Sequence, residues 1–315
     1  MPQTIQPDAA VLDLGSNSFH LLLARWRATG WEALAHLTEK VQLAADLGPG
    51  GDITAGNLQR AGECLQRFAP HLRTLPRERV VLAGTEALRA ASNRDEFIAL
   101  ATRLLGHPVT VLDGVEEAAL IFAATAADPT EAAQQRRLVI DVGGASTELA
   151  SGSGETVATA VSVPAGCLTW RRFFAAGGLD AAAFESAYQS ARELFAAHRS
   201  IVSSVSRVVG CSGTLQALEQ VLMRQGWSQG GIDRAALTEL HQALLRFDHI
   251  DAVAFDGLTE SRRTIFAAGA AVVMALFDGL GIEQMTLSSR SLRHGLMDRL
   301  WRQHASQSEP AHQVA

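Results

Sequence analysis

Three short runs in this chain place small and hydroxyl residues directly after an apolar stretch. They are Gly15-Ser16-Asn17-Ser18 after AAVLDL, Gly143-Gly144-Ala145-Ser146-Thr147 after LVIDV, and Ser212-Gly213-Thr214 after RVVGC. Turns of this composition converge backbone N–H groups on one spot and add hydroxyl donors, a combination suited to phosphate. Acids stand at fixed places among them: Asp13 and Asp141 near the ends of the first two apolar stretches, and Glu148 after the second turn. Their oxygens suit a hard divalent ion, Mg²⁺ or Mn²⁺, bound directly or through water. Either aspartate could equally cap its turn through a local side-chain hydrogen bond. Glu116-Glu117 opens a helical stretch after Asp113-Gly114, where an acid either complements the positive end of the helix or serves as a base. Arg89, in Thr85-Glu86-Ala87-Leu88-Arg89, adds a guanidinium at another strand-to-helix turn. Donors for nonbridging oxygens, ligands for a hard ion and an acid to work on water are the parts phosphoryl transfer needs. A GxSxG elbow and an HExxH helix are both absent from the sequence.

Strands alternating with helices must position these residues, which predicts an α/β fold. Residues 9 to 24 read as a hairpin, followed by a second strand pair around Trp31 to Leu43 and a helix from about Ala55 to Leu72 capped by Thr54. The strand Val80 to Ala83 leads into Gly84-Thr85 and a short helix to Ala91. A helix Arg94 to Leu105, a strand Val109 to Leu112 and a helix Glu116 to Ala127 follow. Around Asp128-Pro129 the composition turns polar, the candidate domain boundary. Long helical stretches at 180 to 204 and 233 to 247 flank the strand before Ser212. A helix 264 to 278, a strand 282 to 287 and a helix 292 to 301 close the chain, with 305 to 315 expected to fray.

The second half restarts like the first. Residues 139 to 149, VIDVGGASTEL, align without a gap to residues 11 to 21, VLDLGSNSFHL, with Asp, Gly and Ser in register. Two duplicated domains, 1 to 126 and 127 to 315, facing a common cleft are therefore expected.

Composition narrows the partners. The net charge of −6 argues against non-specific nucleic-acid binding through a globally basic surface, so a polyanion must meet local arginine clusters. Lys40 is the sole lysine and lies in no GxxxxGK[ST] setting, which excludes a P-loop. The pairs Arg136-Arg137, Arg171-Arg172 and Arg262-Arg263 read as solvated faces. Cys64, Cys167 and Cys211 lack metal-finger spacing and read as reduced core thiols. The apolar run Ala267 to Phe277 is too short to span a bilayer and reads as a buried helix. The first residues carry no basic stretch leading into an apolar one, so a cytoplasmic protein is expected.

Six stretches carry a family resemblance: VLDLGSNSFHLLLAR (11 to 25), GTEALRAASN (84 to 93), DGVEEAALIF (113 to 122), VIDVGGASTEL (139 to 149), GCSGTLQAL (210 to 218) and SRRTIFAAG (261 to 269). In this order they resemble the exopolyphosphatase / guanosine pentaphosphate phosphatase (Ppx/GppA) family of the actin-like ATPase-fold superfamily. The resemblance implies two actin-like, ribonuclease H-like domains around a central cleft and Mg²⁺-dependent release of the terminal phosphate of inorganic polyphosphate. It assigns Glu117 as the acid that activates water, and Asp141 with Glu148 to the metal and its water. Gly143, Gly144, Ser146 and Thr147 would clasp phosphate, with Ser16, Asn17 and Ser18 opposite them and Arg89 as a phosphate ligand. AGCLTWRRFFAAGG (165 to 178) and ESRRTIF look closer to the exopolyphosphatase branch. Guanosine pentaphosphate hydrolysis, linked to the stringent response, is the alternative, as are a polyphosphate:ADP phosphotransferase and a non-catalytic sensor of guanosine polyphosphates. Ala145 replaces the family's usual third glycine, and Leu292-Arg293-His294-Gly295 lacks its usual Glu, so His294 receives no role. Long members carry a helical C-terminal extension without counterpart here, and a homodimer is expected.

Overall fold

The computed structural model describes residues 6–45, 51–126, 135–174 and 177–308. Internal contacts divide the chain into two compact units, one of Met1–Leu43, Leu47–Leu112 and Leu292–Ala315, the other of Ala44–Asp46 and Asp113–Ser291. The expected boundary at Asp128-Pro129 lies outside the described residues. Contacts place the division at 112/113, because the helix that follows packs on the second sheet, and they assign the last helix to the first unit.

In the first unit, β1 (Ala9–Leu14) is buried along its length except at Asp13, as expected of a strand with helices or sheet on both faces. It pairs antiparallel with β2 (Ser18–Arg27), which pairs antiparallel with β3 (Gly30–Lys40). The strand pair expected at 31 to 43 is thus one strand, because a two-residue turn at 28–29 folds the chain straight back onto β2. Thr54 caps α1 (Ala55–Leu72), its hydroxyl accepting from the Asn57 N–H at 3.3 Å. The chain returns through β4 (Val80–Gly84), parallel to β1, then α2 (Glu86–Ala90), α3 (Arg94–Leu105) and β5 (Val109–Val111), parallel to β4. The sheet order is β3-β2-β1-β4-β5.

The second unit opens with α4 (Gly114–Thr125). It starts two residues earlier than expected because the Asp113 carboxylate caps it, accepting from the Glu116 N–H at 2.7 Å. Then β6 (Arg137–Val142), β7 (Thr147–Ser153) and β8 (Thr156–Val163) form an antiparallel meander. The expected helix 180 to 204 resolves into α5 (Ala181–Ala196) and a separate turn, Arg199–Val202. β9 (Arg207–Gly210) lies parallel to β6 and runs into α6 (Gly213–Arg224), capped by Ser212. β10 (Ile232–Asp233), α7 (Arg234–Leu244), α8 (Glu260–Leu280) and β11 (Gln284–Leu287) complete it, while α9 (Leu292–Ser308) belongs to the first unit.

The order β8-β7-β6-β9-β11 repeats that of the first sheet with the same parallel and antiparallel senses, and β10 adds one edge strand. This is the duplicated actin-like α/β plan expected from the sequence. α8 is long and apolar enough to cross a membrane by composition alone, yet it is the core helix of this unit, packed among Trp170, Phe184, Phe195 and Leu218. The three cysteines are free and buried.

Candidate active site

The duplication fixes the first part of the site. In each unit the penultimate residue of the leading strand is an aspartate, half-buried in a strand otherwise enclosed. Asp13 faces His20 across β1–β2, and His20 faces Thr38 across β2–β3, its Nδ1 3.1 Å from the Thr38 hydroxyl. In the second unit Asp141 faces Glu148 and Glu148 faces Ser162. Cross-strand partners in antiparallel sheets point to one face, so each row lies on a single side of its sheet. The Glu148 side chain is 3% exposed, and its Oε1 accepts the hydroxyls of Ser146 at 2.6 Å and Ser162 at 2.8 Å.

The turn between β6 and β7 is held from below. Gly143 N–H donates to Ser146 O at 2.9 Å, while the N–H groups of Cys167, Leu168 and Thr169 donate to the carbonyls of Gly143 and Gly144. Gly166 lies against the Gly144–Ala145 peptide so closely that a Cβ there would collide with backbone. Thr147 is fully buried and gives its hydroxyl to Ala165 O at 2.6 Å. The hydroxyls of Ser146 and Thr147 are thus committed within the protein. What this turn offers an anion is the N–H groups of Gly144, Ala145 and Ser146, which donate to no acceptor among the described residues. Gly15-Ser16-Asn17-Ser18 makes the matching turn of the first unit, where Asn17 donates to the Ser18 hydroxyl at 3.2 Å.

Cys167 joins the second turn to the third. Its N–H holds Gly143 O, and its Sγ lies 3.4 Å from the Thr214 hydroxyl. Ser212 caps α6, accepting from the Leu215 N–H at 3.1 Å, and Gly213 leaves room for the Arg262 guanidinium, with which a Cβ would collide. That guanidinium has no hydrogen bond or ion pair among the described residues. Burial lowers its proton affinity below the ordinary arginine value, and it is a cation without a counter-charge beside a helix N-terminus. Burial also raises the Cys167 thiol, which stays neutral. Arg262, Cys167 and Thr214 share a recess with Ala217, Leu218, Ile265 and Phe266. The solvated face expected for Arg262-Arg263 is therefore corrected at Arg262. Its proximity to Gly213 follows from α8 packing on α6, which no local pattern announces.

Glu117 lies on the core-facing stripe of α4 with Leu120, Ile121 and Ala124, and is 6% exposed. A buried carboxylate is costly unless it is hydrogen-bonded or paired. Glu117 belongs to the unit that holds Asp141, Glu148 and the second and third turns. Asp13, the first turn and Arg89 belong to the other. Arg89 binds Glu86 at 2.8 Å and donates from Nη1 to Leu112 O at 2.9 Å.

Among the described residues no cluster of three or more His, Cys, Asp or Glu side chains forms a metal cage. The neighbouring Asp141 and Glu148 fit the other way of holding Mg²⁺ or Mn²⁺, in which one or two carboxylates are supplemented by water and substrate oxygens.

The model of the Ppx/GppA phosphatase family matches residues 22–304. Proteins named guanosine-5'-triphosphate,3'-diphosphate pyrophosphatase are 38% identical: the one from Aliivibrio fischeri MJ11 over 93% of this chain, and one from Vibrio cholerae over 92%. The chain spans 59% of the length of these curated relatives. Among solved structures, an exopolyphosphatase from Cytophaga hutchinsonii superposes with a TM-score of 0.81 at 22% identity, covering 94% of this chain and 98% of that one. A Ppx/GppA member from Aquifex aeolicus gives a TM-score of 0.74 at 18% identity, covering 96% and 99%. At these identities the likeness is one of fold.

Proposed function

Because the chain belongs to the Ppx/GppA phosphatase family, we propose that it hydrolyses the terminal phosphoanhydride bond of a linear polyphosphate group. The observation that carries this reading is the buried Glu117 on the core-facing stripe of α4, in the same unit as the Asp141–Glu148 pair and the Gly143–Thr147 turn. In this reading Glu117 takes a proton from water as the water oxygen bonds to the terminal phosphorus. The bond to the bridging oxygen breaks, and its electron pair leaves with the shortened chain. The N–H groups of Gly144, Ala145 and Ser146 hold the nonbridging oxygens as charge develops there. Asp141 and Glu148 would hold the divalent ion, which neutralises phosphate charge when bound. In the first unit the family resemblance assigns Ser16, Asn17, Ser18 and Arg89 to phosphate, and Asp13 offers a carboxylate to the ion. Ser212, Gly213 and Thr214 with Arg262 hold a second anionic group.

Inorganic polyphosphate is the substrate expected from the sequence. Guanosine pentaphosphate is the alternative; the recess beside Arg262, walled by the buried Ala217, Leu218, Ile265 and Phe266, has room for about one water molecule and gives a purine no seat. The names of the 38% identical relatives are what supports that alternative. Phosphate release from each substrate, with Mg²⁺ and with or without ADP, tests both. Faster release from guanosine pentaphosphate supports the nucleotide, and faster release from polyphosphate supports the first expectation. ATP formation would identify a phosphotransferase, and tight binding without turnover a sensor.

A further inference from the structure

Arg137 opens β6, 1% exposed, at the far end of the strand from Asp141. Its Nε donates to the Thr125 hydroxyl at 3.2 Å, and its Nη2 donates to Phe122 O at 3.1 Å and Gly154 O at 2.8 Å. Its guanidinium carbon lies 4.1 Å from the centre of the Phe122 ring. Across the strands it faces Gly152, where a Cβ would come within 3.0 Å of the Phe122 ring. Arg290 adds a second grip, Nε to Ala124 O at 2.5 Å. Two guanidinium groups therefore hold the carbonyl end of α4, where a cation also complements the helix dipole.

Apolar packing alone sets a helix against a sheet only loosely along and about its axis, since it is non-directional. The planar fork of Arg137 bonds at fixed angles to the helix and to the β7–β8 turn together, and so fixes both. From Thr125 to Glu117 is eight residues, about 12 Å of rigid helix. We infer that Arg137 is a positioning residue: it sets the axial and rotational placement of α4, and through it the Glu117 carboxylate. This rests on the reading of Glu117 as the base.

Arg137→Lys keeps the charge and loses the fork. It is expected to fold, with kcat down by about ten- to a hundredfold and KM within about twofold, as misplacement of a catalytic group by about an ångström produces. Combined with Glu117→Gln it should add nothing to the loss that Glu117→Gln causes alone. Folded Arg137→Lys with normal kcat overturns the inference. So does a double variant slower than Glu117→Gln by the same factor, since the arginine would then act elsewhere. If Arg137→Lys does not fold, Thr125→Val, which removes only one acceptor of the fork, takes its place with the same outcomes. Should the wild-type protein release phosphate from neither substrate, the functional reading fails, and amide hydrogen exchange on the folded variant decides this one. Loss of protection reaching residues 115 to 118 supports the inference, and loss confined to the last turn of α4 overturns it.

Discussion

Glu148 stands between Asp141 and Ser162 across three adjacent strands, and its Oε1 accepts both the Ser162 and the Ser146 hydroxyls. The same strand positions in the first unit hold Asp13, His20 and Thr38. The duplicated scaffold thus carries a carboxylate–carboxylate pair in one unit and a carboxylate–imidazole pair in the other. Only the former suits a hard divalent ion.

Ser162→Ala removes one of two hydroxyls from a buried carboxylate. Urea denaturation should show a loss of about 1 to 3 kcal/mol, the usual cost of an under-satisfied buried acceptor. An unchanged midpoint would mean that water replaces the hydroxyl at no cost.

Glu117→Gln keeps size and polarity while removing the base. A rate loss of about a hundred- to ten-thousandfold with near-normal substrate binding is expected in a phosphate-release assay. Near-normal turnover would move the role to another acid.

Asp141→Asn should raise the Mg²⁺ concentration needed for half-maximal rate, since an amide binds a hard cation more weakly than a carboxylate. Full activity after EDTA treatment would contradict the metal reading.

Gly166→Ala forces a Cβ into the Gly144–Ala145 peptide. The turn must shift, at a cost of about 1 to 3 kcal/mol, and phosphate release should fall more than stability does. Thermal melting beside the kinetic assay separates the two.

His241 stacks on the buried Phe184, ring centres 4.5 Å apart, and burial holds its pKa below the ordinary 6.5, with Glu185 opposing in part. Above pH 6.5 neither the folded nor the unfolded state binds this proton. As pH falls through 6.5 the unfolded chain takes it up first, so stability drops with acidification until the lowered folded value is passed. Urea midpoints between pH 5 and 8 should show this slope, and His241→Gln should flatten it.

Much of the site was legible because its signals are local. The caps Thr54, Asp113 and Ser212 fix helix starts through hydrogen bonds three residues long, and the gapless match of 11–21 to 139–149 announced the duplicated hairpins. Alternation within those hairpins already implies that Asp141 and Glu148 meet. Tertiary structure decided the rest, because burial and cross-chain approach depend on register and packing between distant segments. Arg136 and Arg137 look alike in the sequence, yet the first lies exposed just before β6 and the second opens the strand, buried against α4. Arg262 reaches Gly213 only because α8 packs on α6, and Gly166 matters only because the chain returns beneath the Gly143 turn. A sequence records which groups can bond; the packed sheet and helices decide which of them lose water and which must find a partner.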